Sequence, residues 1–123
     1  MNTALGIAQG VLAAVFAMSG TMKLAKSREQ LEEQLAWVED FSDSTVKLIG
    51  TAELLGAIGL VLPPLLDIAP WLAPLAATGL ATTMVLAALT HVRRKEPAGI
   101  VVTLVLAAIA VFIAWGRFGP HQF

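Results

Sequence analysis

One acidic side chain, Glu53, sits inside the almost wholly apolar stretch Val46–Leu66. A carboxylate near the centre of a bilayer costs about 2.5–3.5 kcal/mol on insertion scales, so such a group is neutralised, paired or placed in a wet cavity. Gly50, Gly56, Ala57 and Gly59 surround it at helical spacing, and small residues let a second helix come close. Glu53 is therefore expected to face other helices rather than lipid. Two basic groups fall at a matching depth. Lys23 closes the first apolar run and His91 the third, while Glu53 lies past Lys47 by roughly 9 Å of helix. In an antiparallel bundle Lys23, Glu53 and His91 converge on one inner corner. Phe16, Ser19, Gly20 and Lys23 share a helix face, which puts Ser19 one turn deeper than Lys23, and Thr51 and Thr90 are near. The chemistry open to this set is donation from Lys23 or His91 to a polar head group, with proton acceptance or relay by Glu53. A structural staple is the other reading: Lys23 pairs with Glu53, and His91 caps its helix end, where a cation is favoured. Lys23 and His91 are also long enough to reach the head groups.

Four apolar runs must position these residues. Helices are expected over about 4–24, 46–64, 70–91 and 97–116, each close to the ~20 residues that span hydrocarbon. The composition agrees. Hydrophobic residues make up 57%, charged residues 14%, and the mean hydropathy is +0.77. Soluble domains run nearer 45–50% apolar and about 25% charged. The expected fold is all-α: a four-transmembrane-helix antiparallel bundle, a single integral membrane domain over residues 1–123, with a short amphipathic cytoplasmic segment between helices 1 and 2. A signal peptide is the rival reading of the first run, with Ala17-Met18-Ser19 as a weak cleavage signal. Met1-Asn2-Thr3 carries no basic residue, which favours a retained helix.

Between the first two runs, Ser27 and Gln30 fit a capping box. Leu31, Leu35 and Val38 recur at helical steps beside Trp37, as in an amphipathic helix on a membrane surface; a connecting loop anchored by the Trp fits as well. Ser42, Asp43 or Ser44 is placed to cap the second span. Pro63-Pro64 is expected to kink or end it, while Pro70 and Pro97 suit first turns. Lys23, Lys26, Arg28 and Lys47 flank one connection, and Arg93, Arg94 and Lys95 lie in another on the same side. The positive-inside rule puts these loops in the cytoplasm and both termini outside, with Trp71 and Trp115 sharing the outer interface.

Several function classes drop out. With no cysteine there is no disulfide, CxxC redox motif or thiolate metal site, and one buried His makes no zinc site of usual ligation. A net charge of −1 gives no general attraction to nucleic acid. No catalytic residue and no metal ligand set is assigned. Met18, Met22 and Met84 read as packing, Arg117 and His121 as exposed at the outer end, and Thr82, Thr83 and Thr103 as the polar groups of the outer half. Gly20, Gly50, Gly56 and Gly59 are the expected helix-packing positions. Ala107, Ala108 and Ala110 make self-association plausible.

The blocks GVLAAVFAMSGTMKL (10–24), KLIGTAELLGAIGLVLPP (47–64) and AALTHVRRKE (87–96) resemble the DoxX-like family of small bacterial membrane proteins. The resemblance covers nearly the whole chain. It implies a four-helix protein of the bacterial inner membrane, with Ser19, Gly20, Lys23, Glu53, Gly56 and His91 at the family's characteristic positions. It also implies a link with oxidative-stress complexes or with subunits of a thiosulfate:quinone oxidoreductase. The expected function is an accessory membrane component, not an enzyme on its own, holding a small apolar or quinone-like molecule at Ser19, Lys23, Glu53, Thr90 and His91. Quinone is the one cofactor to consider; the lipid bilayer, a redox partner protein or a second copy of the chain are the partners. The rival functions are a proton-coupled transporter switched by Glu53, and a structural or assembly subunit whose basic loops dock a partner.

Overall fold

The computed structural model describes residues 2–27, 29–31, 35, 41–68 and 71–119. Trp37, Val38 and His121 lie outside them. Four helices carry the chain: α1 (Asn2–Ala25), α2 (Asp43–Leu66), α3 (Leu72–Arg93) and α4 (Pro97–Phe118). Each is long and apolar enough to cross a membrane. The 24 residues of α1 and of α2 span about 36 Å, against a hydrocarbon thickness of about 30 Å. Among the described residues there is no strand. The outward faces are apolar: Leu55, Ile58, Val85, Leu86, Val101 and Val105 are all exposed, a pattern suited to lipid rather than water.

The helix ends follow local chemistry. Ser42 stands in extended backbone and its Oγ accepts from the Thr45 amide at 3.1 Å, starting α2. The Lys47 ammonium donates to the carbonyls of Lys23 (2.7 Å), Leu24 (3.3 Å) and Lys26 (2.9 Å). It thus satisfies the last carbonyls of α1, where a helix end favours a cation. The capping box is present: the Gln30 amide donates to Ser27 Oγ and the Ser27 amide to Gln30 Oε1. Leu31 is fully buried against Val46, with Met22, Leu35 and Phe41 around them, so the described residues of the connection pack onto the end of the bundle.

Pro63-Pro64 does not end α2 at once. The helix runs on to Leu66 and stops at Asp67, which is left-handed (φ 54°). There the Ile68 amide donates to the Pro63 carbonyl at 3.0 Å. Pro64 has no amide proton, so it cannot donate to the Leu60 carbonyl one turn back. Gln9 Nε2, from α1, donates to that carbonyl instead at 2.7 Å. Pro64 is tolerated there because a neighbouring helix supplies the missing donor.

The helices pack chiefly as two hairpins, α1 on α2 and α3 on α4, with α2 and α3 joining them. Glycines set the close approaches. A Cβ on Gly20 would lie 2.6 Å from the Gly50 carbonyl oxygen and 2.8 Å from the Leu54 nitrogen, so backbone meets backbone between α1 and α2. Gly56 receives the Leu80 side chain, Gly59 faces Ala76, and Gly116 of α4 receives Leu5 of α1. The core is built from Leu12, Phe16, Ala57, Leu60, Ala77, Leu80, Met84, Ala110 and Ile113, drawn from all four helices. Met84 is buried there; Met18, expected to pack, is 75% exposed and faces outward.

Candidate functional site

Phe16 and Met84 mark the border of the packed core. Toward the basic end the two hairpins enclose a cavity of about 560 Å³. Its wall includes Ser19 and Lys23 of α1, Ala52 and Glu53 of α2, Thr83, Ala87, Thr90 and His91 of α3, and Thr103 and Leu106 of α4. Leu35 and Phe41, from the connection between α1 and α2, also line it. Most of the lining is apolar. Leu48 of α2 and Leu86 and Leu89 of α3 belong both to this wall and to the exposed surface, so the cavity opens sideways between apolar side chains.

The acid of the second span is turned fully inward. Glu53 is 2% exposed and Lys23 5%. Lys23 Nζ donates to Glu53 Oε1 at 2.5 Å and to Ser19 Oγ at 2.7 Å. Ser19 Oγ in turn donates to Glu53, at 3.3 and 3.2 Å from the two oxygens. The triangle is compact because Ser19 and Lys23 are one turn apart on α1 and because the Gly20–Gly50 approach brings α2 against that turn. Breaking such a buried pair on one side leaves an uncompensated charge and costs about 3–5 kcal/mol.

His91 lines the same cavity but is not part of the triangle. Its Nδ1 lies 2.9 Å from Glu96 Oε1, the residue before α4. The sequence reading paired His91 with Glu53 or with its own helix end; the left-handed turn at Lys95 (φ 57°) instead folds Glu96 back to it. The Arg94 guanidinium lies 3.4 Å from the other Glu96 oxygen. The His91 hydrogen bond, chiefly, holds the Glu96 carboxyl below its ordinary value of 4.5, with Arg94 assisting. An ionised carboxylate only accepts, so in the neutral ring Nδ1 carries the proton and Nε2 presents a lone pair. The ring fits because Gly99 has no side chain; a Cβ there would overlap Nδ1, Cγ and Cε1.

Other expectations shift. Thr83 and Thr103 belong to the cavity wall, not to the opposite half, while Thr82 is exposed and outside it. Thr51 is exposed and donates to the Lys47 carbonyl, away from the cluster. Thr83, Thr90 and Thr103 donate to the carbonyls of Gly79, Leu86 and Gly99 of their own helices. Arg117 is 7% exposed rather than solvated; its Nε donates to Gln9 Oε1 at 2.8 Å. Gln9 therefore bridges Arg117 and the proline-freed Leu60 carbonyl in the half of the bundle away from Glu53. Among the described residues, no three His, Asp or Glu side chains gather as a metal site would require.

A sequence profile described as the DoxX-like family matches residues 7–113, which reach into all four helices and include Ser19, Lys23, Glu53 and His91. The chain belongs to the DoxX-like family. With its four spanning helices, this DoxX-like chain is a multi-pass membrane protein. No curated protein and no solved structure gives a significant match to it.

Proposed function

We propose that this DoxX-like protein holds a small, largely apolar molecule with a polar head, quinone-like in outline, in the cavity between its two hairpins. One observation carries the reading: a cavity of about 560 Å³, mostly apolar, whose wall includes the polar side chains of Ser19, Lys23, Glu53 and His91. Pockets of roughly 300–1,000 Å³ with a few convergent polar groups are the usual form of small-molecule sites. An ion pair is a costly way to fill the inside of a membrane bundle, and such groups mark functional places. The opposite half is packed by Leu12, Leu60, Leu80 and Ile113, which favours holding a molecule over passing one across. The protein acts as an accessory component, not as an enzyme by itself. We place it in a bacterial inner membrane with the cavity toward the cytoplasm, since Arg93, Arg94 and Lys95 lie at that end.

The test is mass spectrometry of small molecules that co-purify from native membrane. Glu53→Gln is expected to lower their occupancy, and Ala87→Trp, which fills the cavity from α3, to abolish it. If both variants retain the same molecules at the same occupancy as the native chain, the proposal fails.

A further inference from the structure

The hydrogen-bonding groups of the cavity are unequal in kind. The hydroxyls of Thr83, Thr90 and Thr103 spend their protons on carbonyls of their own helices. They offer only oxygen lone pairs inward. Ser19 gives its proton to Glu53 and accepts from Lys23. Lys23, nearly fully buried, directs its ammonium at Ser19 and Glu53. His91 is tied through Nδ1 to Glu96 and has its Gly99-facing edge packed, which leaves Nε2 on the other edge of a ring that lines the cavity. Arg93 also reaches the wall, but it is exposed at the rim. The interior is thus rich in acceptors, and its donors are engaged with the protein.

We infer that the cavity selects molecules that donate a hydrogen bond, with His91 Nε2 as the acceptor and Glu96 as the residue that positions it. This deepens the binding reading and rests on it. The favoured occupant is an amphiphile whose head bears a hydroxyl, such as a phenol or a dihydroxy aromatic. A head that only accepts, such as an ether, loses the His91 contact and faces lone pairs with lone pairs; among quinone-like rings the reduced, dihydroxy form is therefore favoured over the oxidised one. Glu96 acts through the ring: by accepting from Nδ1 it selects, for the neutral imidazole, the tautomer whose Nε2 is unprotonated. Glu96→Ala releases that choice without touching the cavity wall, because Glu96 is not among the lining residues.

The experiment uses the full chain in nanodiscs and two matched probes, 4-octylphenol and its methyl ether 4-octylanisole. Histidine is 15N-labelled, and His121→Ala leaves His91 as the only signal, since the sequence has two histidines. The phenol is expected to bind about tenfold tighter than the ether, the size of one net hydrogen bond. The phenol, but not the ether, is expected to shift the Nε2 resonance. In Glu96→Ala the free protein should show both tautomers and the phenol preference should shrink, while ether binding is unchanged. Equal affinity for the two probes, or a preference that survives both Glu96→Ala and His91→Phe, overturns the inference and leaves the cavity reading standing. If neither probe binds and Ala87→Trp changes nothing, the reading beneath it falls as well.

Discussion

The Glu96 carboxyl accepts from His91 Nδ1 most strongly while it is ionised, and this gives the contact a pH sign. In the folded chain the carboxyl is held below its ordinary 4.5, so between the two values the unfolded chain binds more protons. Stability from this contact is complete above the ordinary carboxyl range and is lost as pH falls through the lowered value. The melting temperature of the native chain should therefore exceed that of Glu96→Ala near pH 6, and the gap should close in stronger acid. A gap that widens on acidification contradicts the assignment. Residue-scale reading of the sequence reached only part of this. Glu53 and Lys23 were legible because a charge in an apolar run is expensive, and counting turns put both at one depth. Glu96 was not, because it reads as one more charge in a basic loop; only the left-handed Lys95 reveals the fold-back. Gln9 and Arg117 were missed for a different reason. An uncharged amide barely disturbs hydropathy, and an arginine near a helix end looks solvated. The signal lay in Pro64, which strips a donor from the carbonyl four residues before it and so asks for a donor on a neighbouring helix.

At the scale of the helix, the α1–α2 hairpin depends on two glycines that no other residue replaces without movement. Gly20→Ala would put a methyl 2.6 Å from a backbone oxygen, so the helices must separate. Overpacking of this kind costs about 1–3 kcal/mol, and here it would also pull Ser19 and Lys23 away from Glu53. Gly79→Ala is the control. Nothing lies within 4 Å of a Cβ there, and alanine should stabilise the α3 interior by up to about 1 kcal/mol. Thermal unfolding in one detergent checks both; equal behaviour of the two variants would show that the hairpin does not rest on that contact. The spans themselves were legible in the sequence, since about twenty apolar residues admit little else than a crossing helix. The segment between α1 and α2 was less so: its heptad-like leucines fit a surface helix, yet Leu31 is buried against Val46 over the bundle end.

For the whole molecule, the orientation proposed from the basic loops is directly measurable because the chain has no cysteine of its own. Single cysteines at Ala98, in the first turn of α4, and at Ile68, beyond the end of α2, stand at opposite ends of the bundle, and both positions are exposed. In intact cells a membrane-impermeant maleimide should modify Ile68→Cys and spare Ala98→Cys; the reverse pattern would place the cavity on the outer side. The mouth between Leu48, Leu86 and Leu89 has a thermodynamic consequence of its own. A molecule reaching the cavity through it arrives from the acyl-chain phase, where oily solutes partition strongly from water. Saturation would then follow the solute's mole fraction in lipid, so diluting the protein with more bilayer would weaken apparent binding even at a fixed total concentration.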